Sequence, residues 1–229
     1  CDQKPFTDLR IRKAVVLCAD NAQMLKIAYR GMGTLGEDHH VAPSHPEYFP
    51  LPKRERDVAA AKKLLADAGF PNGLDIDLIV GNTQGRYEQD CAQILQQNCL
   101  EAGIRLNLKV IPAAQYWPIW DKAAFSLTYW AHRPLGVMSL ELAYRGGGAW
   151  NESHYSDPAF DAALDRAMGI IDPKQRAVAM QSVEQILQDA CVIVQPFWGD
   201  KFTAVSKKVQ GFEVHPSDFY PMGNVWLSA

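Results

Sequence analysis

The chain has 229 residues, 48% of them hydrophobic and 21% charged, with a formal net charge of −3. These are globular values, and the length suits one large domain or two small ones whose core needs no disulfide or metal staple. The small acidic excess argues against nucleic acid or anionic lipid as a partner, and no apolar run approaches the roughly 20 residues that span a bilayer.

In chain order, the first residues, Cys-Asp-Gln-Lys-Pro, lack the basic segment and apolar stretch of a signal peptide. Cys1 fits the processed end of a lipoprotein and, more plainly, a cysteine that happens to stand first. Asp8 starts a helix with Leu9, Ala14, Val15 and Cys18 on related faces, and Asp20 or Asn21 caps a short second helix that stops at Gly31. Residues 32–53 read as a long loop rich in glycine and proline, which a compact domain rarely leaves idle. Asp57 opens a third helix, ending at Gly69, and Pro71-Asn72-Gly73 is a turn.

Residues 74–80 alternate apolar and polar and read as a strand; 86–102 read as a helix, and 104–111 as the clearest alternating strand of the sequence. A short helix over 113–122, broken near Pro118, leads to a third strand over 124–130. Strand, helix, strand, helix, strand in this order implies parallel pairing with right-handed crossovers. After a segment dense in aromatics and glycines come two helices, over 158–170 and 173–189, the first with Ser156 or Asp157 as its cap and Pro158 at its first position. The tail carries extended runs at 191–198, 202–205 and 209–214, with aromatics at Trp198, Phe202, Phe212, Phe219, Tyr220 and Trp226. A strand-rich tail too short for its own sheet is expected to be disordered, to fold against the rest, or to pair with another chain.

The five cysteines fit no CxxC or zinc spacing. Cys91 and Cys99, eight apart on one expected helix, stand roughly 12 Å apart along its axis, too far for a disulfide. Cys18, Cys91, Cys99 and Cys191 are expected to behave as small buried apolar residues.

Several ordered segments resemble the second lobe of the peptide/oligopeptide (family 5) solute-binding proteins of bacterial ABC importers. They are Lys4-Pro-Phe-Thr-Asp-Leu-Arg-Ile-Arg-Lys-Ala-Val, Asp57-Val-Ala-Ala-Ala-Lys-Lys-Leu-Leu-Ala-Asp-Ala-Gly-Phe, Leu95-Gln-Gln-Asn-Cys-Leu-Glu-Ala-Gly continuing into 104–110, and Tyr155-Ser-Asp-Pro-Ala-Phe-Asp-Ala-Ala-Leu. Pro196-Phe-Trp, Val205 and Val209-Gln-Gly-Phe resemble the return toward the first lobe, and Cys99 stands where that family usually has leucine. The resemblance implies an α/β fold: a periplasmic binding protein-like type II lobe, with a mixed sheet flanked by helices and a β-rich C-terminal tail. It also implies a C-terminal fragment, with residues 1–190 forming the second lobe and 191–229 the segment that normally completes the missing N-terminal lobe. The inter-lobe connections would run through residues 1–8 and 190–200.

The function so implied is solute capture for an ABC import system, in the periplasm or lipid-anchored outside the membrane. The partners would be a small solute, possibly a peptide or an anionic molecule, the permease subunits and the missing lobe, with no cofactor and no catalysis. In peptide-binding relatives an acidic residue between a tryptophan and a proline takes the ligand's ammonium group. Here Trp130 and Pro134 enclose His132 and Arg133 instead, and a guanidinium suits carboxylate or phosphate oxygens, so an anionic ligand group is the sharper expectation. The blander one pairs Arg133 at the surface and bonds His132 to backbone. Trp130 and the cluster Tyr144, Arg145, Gly146–Gly148, Trp150 and Asn151 complete the candidate ligand site.

A second reading, from another class, is a small hydrolase or metal-dependent enzyme built on His39, His40 and His45 with neighbouring carboxylates. Against it stand an unmatched ligand spacing and the simpler account of a solvated polar loop. GxSxG, HExxH and Walker A are all missing from the sequence.

Overall fold

The protein is described from a computed structural model covering residues 1–215 and 219–228. Aspartates set the helix starts. The Asp8 side chain accepts from the Arg10 N–H at the head of α1 (Leu9–Cys18), and Asp20 does the same for Gln23 in α2 (Asn21–Ala28). Asp57 caps α3 (Val58–Asp67) through Ala60. Each carboxylate satisfies an N–H that has no partner within its own helix. Between α2 and α3 lies a short strand, β1 (Gly33–Leu35).

The sheet grows from β2 (Leu74–Val80), which pairs in parallel with β3 (Ile104–Val110) along its whole length, Leu74 opposite Ile104 and Val80 opposite Val110. The crossover between them is α4 (Arg86–Leu100). A one-turn helix, α5 (Ala113–Tyr116), then leads to β4 (Ser126–Leu127), parallel to the far end of β2, so the order is β3-β2-β4. Alternation gives the sheet its two faces: Ile76, Leu78 and Val80 are buried, whereas Asp75 and Asp77 reach outward to Arg105 and Asn107. The buried face closes a first core with Ile11, Leu65, Leu95 and Ile104.

A second core forms from α6 (Gly136–Tyr144), α7 (Pro158–Met168) and α8 (Pro173–Ala190), centred on Leu140, Phe160, Leu164, Met180 and Val183. Asp157 and Asp172 cap the last two, each followed by proline at the first helical position. The chain then returns across both cores: Val192 and Ile193 pack on the second, Val194 and Phe197 on the first. There β5 (Phe197–Gly199) pairs antiparallel with β1. Farther on, β6 (Val209–Gln210) pairs antiparallel with β7 (Trp226–Leu227), and Phe212 stacks on Tyr220. Phe202, Phe219 and Trp226 remain exposed. Among the described residues, no helix is long and apolar enough to cross a membrane.

The α/β class holds, with parallel pairing in the main sheet and antiparallel pairing in the two short ladders. Five local expectations change. The third strand shrinks from 124–130 to Ser126–Leu127, because only Ile79 and Val80 of β2 extend far enough to pair with it. The helix expected over 113–122 stops at Tyr116. Helix α6 occupies a stretch read as irregular: it opens on glycine and is apolar nearly all round, so it lacks the one-sided periodicity that marks a surface helix. The glycine is required there, since a Cβ at Gly136 would lie 2.6 Å from the Val41 side chain. The loop over 32–53 contains β1, and the run 202–205 joins no ladder.

Candidate functional site

The exit of β4, the histidine loop and the return segment meet around a cleft of about 720 Å³. Residues 123–132 form one wall, residues 191–201 another, and His40 and His45 a third. The volume falls in the range of small-molecule sites. Beyond Leu127 the chain leaves the sheet, which frees the side chains of Thr128, Tyr129 and Trp130 to line this space.

Rings dominate one side. Trp130 stacks with His40 at 5.4 Å between centroids, and His40 stacks in turn on Tyr144 at 5.4 Å. Trp120 and Trp150 meet Trp130 edge-on at 6.5 and 6.1 Å. Against these rings lies Glu152, which also lines the cleft. The Trp130 indole donates to its Oε1 at 2.7 Å, and the Thr128 hydroxyl donates to its Oε2. Thr128 is itself hydrogen-bonded to the Tyr116 hydroxyl, so a polar chain runs from the buried Tyr116 to the carboxylate.

Burial sets the electrostatics. It pushes the Glu152 carboxyl up, against the opposing hydrogen bonds from Thr128 and Trp130. Burial also lowers His40 to about 3, with His39 and His45 contributing, and lowers His132 to about 4, with His45 contributing. Both imidazoles are therefore neutral near pH 7, and the rings around Glu152 bring it no compensating cation. Arg12 lines the cleft but is engaged by the carbonyls of Phe6 and Ala190.

Of the residues singled out from the sequence, Trp130, His132 and Tyr144 line the cleft. The other four lie outside its lining. The Arg133 guanidinium sits over the Trp150 ring, 5.6 Å from its centroid, rather than in a surface ion pair. Trp150 is exposed beyond Trp130. Arg145 pairs with Glu141 and Asp165. Asn151 is buried and ties the loop together, donating to the carbonyls of Arg145 and Tyr155 and accepting from Ser153 and Tyr155. The glycines beside it serve the same loop: the Gly146 N–H donates to Asp161, and a Cβ on Gly146 would lie 2.9 Å from that carboxylate. His132 is stacked on His45 at 4.5 Å; it is His45 that bonds backbone, at the carbonyl of Arg133.

Glu152 was not found from the sequence. It lies 22 residues beyond Trp130, and only the course of α6 and the following loop brings the two together.

The histidine loop is buried, contrary to the expectation of a solvated one: Glu37, Asp38, His39, His45 and Glu47 are all buried. It is fixed by its own polar groups. Glu37 accepts from the Tyr48 hydroxyl and the Leu51 N–H, Asp38 accepts from the Gln195 N–H, and Gln188 of α8 donates to the carbonyls of Glu37 and Pro52. Burial pushes Glu37 up, but the nearby His39 imidazole and hydrogen bonds from Tyr48 and Leu51 outweigh it and hold the carboxyl low. The three histidines serve different surroundings: His39 faces Glu37 and Glu184, His40 lies between rings, and His45 holds backbone. Among the described residues, no group of three or more His, Cys, Asp or Glu side chains converges to hold a metal ion.

Residues 1–144 match the family described as Bacterial extracellular solute-binding proteins, family 5 Middle. Heme-binding protein A of Haemophilus influenzae is 22% identical over 94% of this chain and 41% of its own length. Glutathione-binding protein GsiB of Pectobacterium atrosepticum is 25% identical over 95% of this chain and 44% of its own. The oligopeptide-binding protein AppA from Bacillus subtilis, solved in complex with a nonapeptide, superposes with a TM-score of 0.85 at 18% identity, over 99% of this chain and 49% of that one. That likeness establishes the fold, which is periplasmic binding protein-like of type II. The chain spans less than half the length of these relatives. With 144 of its 229 residues matched, the chain belongs to the family 5 bacterial extracellular solute-binding proteins.

Proposed function

We propose that this chain supplies one lobe of a solute-binding protein that captures an amine-bearing small solute, of the peptide class, outside the cytoplasmic membrane and delivers it to an ABC permease. Its relatives are named as binding proteins, for a heme, glutathione and oligopeptides among others. Two lobes closing over the cleft would bury the solute and satisfy its polar groups, with no bond made or broken. The exposed aromatics at Phe202, Phe219 and Trp226 suit a tail that packs on the other lobe, so residues 1–190 and 191–229 take the roles the resemblance implies.

The observation that carries the reading is Glu152, a carboxylate set against Trp130 in an aromatic-walled cleft. A desolvated carboxylate favours a cationic partner, and indole faces favour cations too. The expectation of an anionic ligand held by Arg133 loses its support, because that guanidinium lies over Trp150 and outside the cleft lining.

The test is calorimetric titration of the full-length gene product with short peptides and their des-amino analogues. Glu152→Gln is expected to weaken amine-bearing peptides about 10-fold or more, the range of a hydrogen bond to a charged group, and to leave the des-amino analogues unchanged. Equal weakening of both, or none, would overturn the assignment.

A further inference from the structure

Cys18 is the last residue of α1 and Cys99 stands in the last turn of α4; both are 0% exposed within the first core. One guanidinium holds their backbones side by side. Arg56 Nε donates to the Cys18 carbonyl at 2.8 Å, and a terminal nitrogen of the same group donates to the Asn98 carbonyl at 3.5 Å. A second tie follows at once, since the Asp20 N–H donates to Asn98 Oδ1 at 3.0 Å. The two side chains also act on each other, an influence that raises Cys99 and lowers Cys18. The other buried cysteines differ. The Cys91 thiol is pushed up to about 12, by burial first, and the Cys191 thiol is turned to the Gln188 carbonyl.

We propose that Cys18 and Cys99 are a disulfide-forming pair, which locks the end of α1 to the end of α4 when the chain folds in contact with a disulfide oxidant. The oxidant is an oxidised small-molecule disulfide or a thiol–disulfide oxidoreductase. One cysteine thiolate attacks the oxidant's S–S bond, forming a mixed disulfide and releasing one thiol; the other cysteine displaces the second. Two protons and two electrons leave the pair, the Cys18–Cys99 bond forms, and the oxidant's disulfide is reduced to two thiols. Because neither sulfur is exposed once the core has closed, the exchange takes place before α1 settles on α4. The bond closes a loop of about 80 residues, long enough to remove substantial entropy from the unfolded chain. The oxidant comes from the extracytoplasmic location proposed above, but the geometry does not, so a test in vitro separates failure of one from failure of the other.

The full-length protein is unfolded and reduced in guanidinium, refolded in a glutathione redox buffer, alkylated after a second denaturation without reductant, and peptide-mapped. The expected result is one joined pair of peptides, carrying Cys18 and Cys99 and lighter by two hydrogens than the separate thiols, with Cys91 and Cys191 alkylated. Reductant then lowers Tm by about 5–10 °C, and this sensitivity is absent in Cys99→Ala. Refolded protein in which Cys18 and Cys99 are both alkylated would overturn the proposal, wherever the protein resides in the cell.

Discussion

The two cores of this molecule are built from different materials. The first, between the sheet and helices α1, α3 and α4, is lined by apolar side chains and sends its strand carboxylates outward to exposed partners. The second, around α6 to α8, borders a polar interior where Glu37, His39, Glu47 and Glu184 are buried together. His39 Nε2 lies 3.3 Å from Glu37 and 3.9 Å from Glu184, and Glu47 accepts from the Val137 N–H. The first core is held chiefly by apolar area and shape, so its stability depends less on protons. The second depends on which of its carboxyls is charged.

The largest effect that sharpens this contrast is a truncation in the first core. Leu65, 1% exposed, has its side chain enclosed between α3 and the sheet cluster. Leu65→Ala is expected to cost about 2–5 kcal/mol in guanidinium unfolding, equally at pH 6 and pH 9. A loss that varied with pH would break the distinction between the cores.

Next comes Glu184. Burial, then the charges of Glu37 and Glu47, push its carboxyl up to about 9, so it carries a proton in the folded protein near pH 7 while the unfolded chain has released it. A raised carboxyl binds more protons folded than unfolded, so its contribution is fully present below the unfolded pKa and is lost as pH rises toward about 9. The expected slope is at most about 1.4 kcal/mol per pH unit. Glu184→Gln keeps the neutral shape; its stability curve should be flatter over this window and lie above that of the parent at pH 9. Parallel Tm-against-pH curves for the two proteins would show that Glu184 does not carry the proton.

The smallest effect belongs to the outer face of the first core. Arg105 and Asp75 form a two-point ion pair across β2 and β3, but both side chains are well solvated. Arg105→Ala should leave Tm unchanged within error, because water and salt screen such pairs. A clear drop would mean that charge supports the first core as well.

The same contrast decides what could be read from the sequence. Asp8, Asp57 and Asp157 announce helix starts because a short acceptor followed by an apolar repeat has a local cause. The alternation at 74–80 and 104–110 fixes both strands and, through α4, their parallel order. Helix α6 escaped because its residues are apolar on nearly every side. Burial of Glu37 and His39 was equally invisible, since a carboxylate in a proline-rich loop carries no local sign that Gln188, far along the chain, will cover it. Trp130 was named for the cleft through the family resemblance, and Glu152 was not named at all, because their meeting is purely tertiary.

One consequence of the ring cluster is optical. Trp120, Trp130 and Trp150 stand in series with centroids 6.5 and 6.1 Å apart, close enough for excitation to migrate among them before it is emitted. The middle indole of that series donates its N–H to Glu152. A change in this bond is therefore expected to alter the emission of the middle indole and, through migration, that of its neighbours, which an unlabelled fluorescence titration would read.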